Sequence, residues 1–103
     1  MITFVRSAEA DRSHVNEAVG WAVQVANWIN GKFPDVTVNV MRNISGSVFG
    51  LHWVTNAESL GEFEQIMGQI DADPEYQNML TEAREKGYFV QGSLQDNYYR
   101  SVP

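Results

Sequence analysis

Apolar and polar positions alternate at the start of the chain. Ile2 and Phe4 share one parity, Thr3 and Val5 the other, which predicts a short strand over residues 1 to 7. The period then lengthens. Val15, Ala18, Val19, Ala22, Ala26 and Ile29 recur at helical spacing, predicting a helix from about Arg12 to Asn30, capped by Asp11 or Ser13. Trp21, Val25 and Trp28 lie beside that stripe. They widen the apolar arc beyond one sheet face, by roughly a third on a wheel of about 100° per residue. Asn30-Gly31 reads as the helix end, because both residues tolerate left-handed geometry. A second strand follows from Val36 to Arg42, with Val36, Val38 and Val40 opposite Thr37, Asn39 and Met41.

Residues 47 to 56, SVFGLHWVTN, form a third strand with almost no side for water. One parity carries Val48, Gly50, His52 and Val54, the other Phe49, Leu51 and Trp53. Thr55-x-x-Glu58 then reads as a capping box, and Leu60, Phe63, Met67 and Ile70 as the stripe of a second helix. DADPEY breaks that helix, with Asp73 as a new cap and Pro74 at the first helical position. The third helix carries Tyr76, Met79, Leu80 and Ala83 and stops at Arg84, Lys86 and Gly87. Tyr88 to Leu94 reads as the last strand, with Val90 and Leu94 opposite Phe89, Gln91 and Ser93. QDNYYRSVP reads as a tail.

This order is β-α-β-β-α-β with a split second helix, an α+β ferredoxin-like domain spanning residues 1–103. Right-handed crossovers put strands one and three in the middle of a four-stranded antiparallel sheet. Helices cover one face. The other face would show either Val48, His52 and Val54 or Phe49, Leu51 and Trp53, joined by Val5, Met41 and Phe89. That is an apolar patch on the order of several hundred Å2, more than a monomer usually exposes. A second copy packed sheet to sheet would bury it, so a homodimer is expected, with Trp21 and Trp28 as further contact residues.

Composition narrows the chemistry. A net charge of −6 and a pI near 4.7 disfavour nucleic acid, and no basic run seeks a membrane surface. The absence of cysteine removes disulfides and thiolate chemistry. No window is long and apolar enough for a membrane span and the first residues do not read as a signal peptide, so a cytoplasmic location is expected. The two histidines stand on different elements without metal-ligand spacing, so neither a metal nor a cofactor is expected.

Trp53-x-Thr55 leading into the broken helix, together with DADPEYQNMLTEAREKGYF, resembles the dimeric α/β-barrel superfamily. Its NIPSNAP-like and antibiotic-biosynthesis-monooxygenase-like branches are the nearest. The resemblance implies two sheets packed into a barrel and a pocket in each subunit between sheet and helices. Haem-degrading members use an Asn near the end of strand one and a Trp and a His on the second helical segment. Here Arg6-Ser7 stands at the first place, and residues 57 to 87 hold neither Trp nor His, which makes haem oxygenation an unsuitable reading.

His52, mid-strand among apolar residues, is the candidate acid or base. The plainer alternative is a barrel-lining histidine with a hydrogen-bond partner. Trp53 and Phe49 are candidates to stack on an aromatic substrate, and Asn39 and Gln91 to orient it. Arg6 suits an anion or a pairing with a surface acid. The expected activity is that of a cofactor-independent monooxygenase-like enzyme acting on a small hydrophobic or aromatic compound. The alternative is a non-catalytic ligand-binding or dimeric assembly module.

Overall fold

A four-stranded antiparallel sheet carries three helices in a computed structural model that describes residues 1–103. The elements are β1 (Ile2–Glu9), α1 (Val15–Lys32), β2 (Val38–Arg42), β3 (Gly50–Ala57), α2 (Leu60–Asp71), α3 (Pro74–Lys86) and β4 (Gln95–Arg100). The sheet order is β2-β3-β1-β4, so β1 and β3 are central. This is the ferredoxin-like arrangement, with its second helix divided into α2 and α3.

Strand alternation decides which side chains meet the helices. On β3 these are Leu51, Trp53 and Thr55. Leu51 is buried, and Trp53 Nε1 donates to the Ala22 carbonyl in α1 at 3.2 Å. Thr55 Oγ1 donates to the Thr37 carbonyl at 2.8 Å. On β1 the helix-facing residues are Phe4, Arg6 and Ala8, paired across the ladder with Thr55, Trp53 and Leu51. Leu51 and Ile70 anchor the core with Ala18, Ala22, Val25 and Ile29 of α1.

The wide apolar arc of α1 has an intramolecular cause. Trp21 Nε1 donates to the Met79 carbonyl of α3 at 2.9 Å, and Trp28 Nε1 to Glu75 Oε2 at 3.0 Å. The helix therefore packs on the sheet and on α3 together. Both tryptophans thus make contacts with α3 inside the chain.

Several boundaries differ from expectation. Helix α1 starts at Val15 after His14, which makes no side-chain cap. Asp11 Oδ1 instead accepts from the Ser13 N–H at 2.9 Å, stabilising the turn before the helix. The helix runs past Asn30-Gly31 because the Asn30 amide holds Val38, accepting from its N–H at 2.7 Å and donating to its carbonyl at 3.0 Å. Strand β2 therefore starts at Val38 rather than Val36. Helix α2 is capped by Ser59, whose hydroxyl accepts from the Glu62 N–H at 3.2 Å, while Thr55 belongs to β3. The break before α3 is as expected. Asp73 Oδ1 accepts from the Glu75 N–H at 2.9 Å, and Gly87 ends the helix at φ 67°.

The largest correction concerns the last strand. Residues Tyr88 to Leu94 make only an isolated bridge, Ala10 to Phe89. Phe89 leaves the sheet to pack edge-on against Trp21 and Trp53, and Gly92 turns the chain at φ 81°. The strand beside β1 is the polar segment Gln95–Arg100, in register from Ser7 opposite Gln95 to Ile2 opposite Arg100.

Alternation leaves Thr3, Val5 and Ser7 of β1, Asn39 and Met41 of β2, and His52, Val54 and Asn56 of β3 on the uncovered face, with Gln95, Asn97 and Tyr99 of β4. That face is mixed, not the continuous apolar patch expected. Leu51 and Trp53 point to the helices, and Val48 and Phe49 precede β3.

Replacing Ser59 with Ala is expected to cost about 1 kcal/mol of stability, the usual loss for a helix cap. Glu58→Ala is expected to change it by less than about 0.5 kcal/mol. Urea unfolding of the two variants measures both, and the reverse ranking would place the cap at Thr55.

Candidate functional site

The helices leave a cavity of about 910 Å3 against the sheet. This lies at the upper end of the range for small-molecule pockets, about 300–1,000 Å3. Its walls are mostly apolar, and aromatic rings form two groups on them. Trp21, Trp53 and Phe89 form one group of edge-on rings, with centroids 5.4 to 6.1 Å apart. Phe4 and Phe63 form a second wall, 4.6 Å apart. Exposed residues of the segment after α3, including Val90, Gln91 and Leu94, line the rim with Arg84. This rim is tied down. Ser93 Oγ accepts from the Glu9 N–H at 3.0 Å and donates to the Val90 carbonyl at 2.7 Å.

Arg6 interrupts the apolar lining between Phe4 and Ala8. Since β1 continues to Glu9, Arg6 is a mid-strand residue, not a strand-end one. Its Nε and Nη2 donate to the two oxygens of Asp96 at 2.8 and 2.9 Å, directly across the β1–β4 ladder. Its Nη1 donates to Tyr76 Oη at 3.4 Å. The hydrogen bonds that Arg6 donates to Asp96 raise its pKa above the ordinary value, against the opposing effect of burial. Tyr76 is buried and stacks on Trp28 with ring centroids 6.1 Å apart. Burial pushes its phenol pKa up, and the nearby guanidinium only partly offsets this.

The fold divides the residues singled out in the sequence. Trp53 and Gln91 line the cavity. His52 and Asn39 belong to the opposite face of the sheet, because neighbouring residues of a strand point opposite ways. Phe49 precedes β3, where the Arg12 guanidinium lies 5.1 Å from its ring centre. A single pocket formed by Trp53, Phe49, His52 and Asn39 is thus not what the sheet builds. Tyr76 was legible only as a helix core position. The partner of Arg6 was hidden by the displaced last strand.

His52 has its own network. Asn43 Nδ2 donates to the Ser45 carbonyl at 3.2 Å, which directs Asn43 Oδ1 to His52 Nε2, 2.6 Å away. In the neutral ring Nε2 then carries the proton, and Nδ1 accepts from Ser7 Oγ–H at 2.6 Å. Gly50 makes room for this, since a Cβ there would collide with Asn43 Oδ1. No group of three or more His, Cys, Asp or Glu is placed to hold a metal ion. No helix is long and apolar enough to cross a membrane.

No family model and no curated protein matches the sequence. Solved structures do. A NIPSNAP domain protein from Burkholderia xenovorans superposes with a TM-score of 0.80 at 13% identity, over 99% of this chain and 95% of that one. A candidate antibiotic biosynthesis monooxygenase from Deinococcus radiodurans gives 0.74 at 13% identity, over 100% and 94%. A NIPSNAP family protein of unknown function from Agrobacterium tumefaciens gives 0.77 at 12% identity, over 99% and 88%. These likenesses show the ferredoxin-like fold of the single chain.

Two outcomes are expected. Nitrogen-15 spectra of neutral His52 should show the Nε2–H tautomer, and an Nδ1–H signal would contradict the network. Unfolded Tyr76 ionises near pH 10 and the buried native phenol only above that, so its contribution to stability is full below about pH 10 and lost as pH rises. Unfolding curves from pH 9 to 11 should therefore fall less steeply for Tyr76→Phe than for the unmodified protein. Parallel curves would place Tyr76 in water.

Proposed function

We propose that this chain is a small cofactor-free enzyme that binds a hydrophobic aromatic compound in the cavity between its sheet and helices. The observation that supports this best is the cavity itself, about 910 Å3, with Trp21, Trp53 and Phe89 on one wall and Phe4 and Phe63 on another. Such rings hold a flat hydrocarbon by dispersion and displaced water. A molecule seated there loses part of its water and is held against the sheet, which is how positioning lowers a barrier. The name of the Deinococcus radiodurans protein supports monooxygenase-like chemistry as the reaction class.

The proposed working form is a homodimer with the two uncovered sheet faces packed together. Val5, Val54 and Met41 would supply its apolar contacts. In this arrangement His52, held by Ser7 and Asn43, lies between the sheets and away from the cavity. Its proposed acid–base role then applies only to a molecule enclosed on that side.

One observation favours a second reading, a ligand-binding module without turnover. The cavity lining contains no histidine, and its one carboxylate, Asp11, already accepts the Ser13 N–H. Native mass spectrometry of the purified protein, combined with oxygen-consumption assays on any retained compound, separates the two. A retained aromatic compound that is converted supports the enzyme, and one that is held unchanged supports the module. Leu80→Trp, which fills the cavity, is expected to reduce retention at least about tenfold, the effect of losing about 1.4 kcal/mol. Undiminished retention would place the ligand elsewhere.

A further inference from the structure

We infer that Arg6 and Tyr76 form an oxygen-binding pole in the cavity, which takes the carbonyl oxygen of an uncharged aryl ketone-type ligand and so fixes how the ligand lies. This rests on reading the cavity as an aromatic pocket and adds a polarity to it.

The donors carry the inference. A guanidinium has five N–H groups. Three of those on Arg6 are committed, two to Asp96 and one to Tyr76 Oη. One N–H on Nη1 and one on Nη2 remain free. Tyr76 Oη accepts from Arg6, and its own O–H has no acceptor within the chain. The Arg6 side chain keeps 28% of its surface open beside these bonds. Both residues line the cavity, which puts the uncommitted donors at its wall. Both Asp96 oxygens are engaged. The pole thus offers donors and calls for an acceptor.

Charge selects which acceptor. Asp96 already neutralises Arg6. A carboxylate ligand would add an uncompensated negative charge beside Asp96 in a partly desolvated space, which is costly. A carbonyl oxygen takes the same donors without that charge. The raised pKa of Tyr76 keeps its proton in place for this bond. Donors placed this way also stabilise negative charge developing on that oxygen during a reaction.

Three naphthyl probes of one shape test the assignment: 1-acetonaphthone, 1-ethylnaphthalene and 1-naphthoate, titrated by calorimetry. The ketone is expected to bind about tenfold more tightly than the hydrocarbon and than the carboxylate, the scale of a hydrogen bond to a charged donor. Tyr76→Phe and Arg6→Met should each remove most of the ketone's advantage and leave hydrocarbon binding within about twofold. Asp96→Asn, which frees the positive charge of Arg6, should shift preference to 1-naphthoate. Circular dichroism checks the fold, and Tyr76→Phe stands as the test if Arg6→Met unfolds. Equal binding of ketone and hydrocarbon would overturn the pole while leaving the aromatic pocket intact. Tightest binding of 1-naphthoate to the unmodified protein would make the site an anion site instead. An unchanged preference in Asp96→Asn would overturn the charge argument. Failure of all three probes to bind would overturn the pocket and the pole together.

Discussion

The pairing of Arg6 with Asp96 governs how this protein is built. Arg6 stands on the helix-facing side of a central strand, where its neighbours Phe4 and Ala8 are apolar and buried. A cation cannot be sealed into such a layer without a partner, because the cost of taking it out of water exceeds what packing returns. Strand β4 brings Asp96 directly opposite it, and α3 brings Tyr76. Arg6, paired with Asp96, stays partly exposed on the cavity wall. The space between sheet and helices here is a lined cavity in place of a closed core.

That constraint also explains the two kinds of packing around the sheet. Where α1 meets β3, buried Leu51 belongs to one core cluster with Ala18, Ala22 and Val25. Towards β1 and β4 the layer opens, and large rings stand in for close packing. Trp21 serves both zones, its indole N–H held by the Met79 carbonyl in α3 and its ring edge-on to Phe89. The segment from Tyr88 to Leu94 crosses the mouth of the opening before the chain returns to the sheet as β4.

The element order was legible because helical and strand periods are carried by the buried residues themselves, Ala18, Ala22 and Ile29 in α1 or Tyr76, Met79 and Ala83 in α3. The Asp73-Pro74 break was legible because capping is local. Strand β4 was not, since Gln95 to Arg100 is an exposed edge whose pairing with β1 depends on backbone register and one ion pair rather than on alternation. Strand β3 was legible as a strand but not in its facing. Both parities are apolar, and the burial of Leu51 and the Trp53 bond to α1 decide between them. The same ambiguity spread to the site, because His52 and Trp53 are adjacent and cannot line one pocket. Trp53 and Gln91 were placed in the cavity. Arg6 and Tyr76 drew weaker signals, as their meaning comes from a contact between residues far apart in the chain.

A crystal structure grown with a saturating naphthyl ketone examines the central idea most directly. The account predicts the ring system between Trp53 and Phe63, its oxygen within hydrogen-bond distance of Arg6 and Tyr76, and the bond from Arg6 to Asp96 preserved. Collapse of the aromatic walls into the space, or the compound seated instead on the open sheet face beside His52, would contradict it.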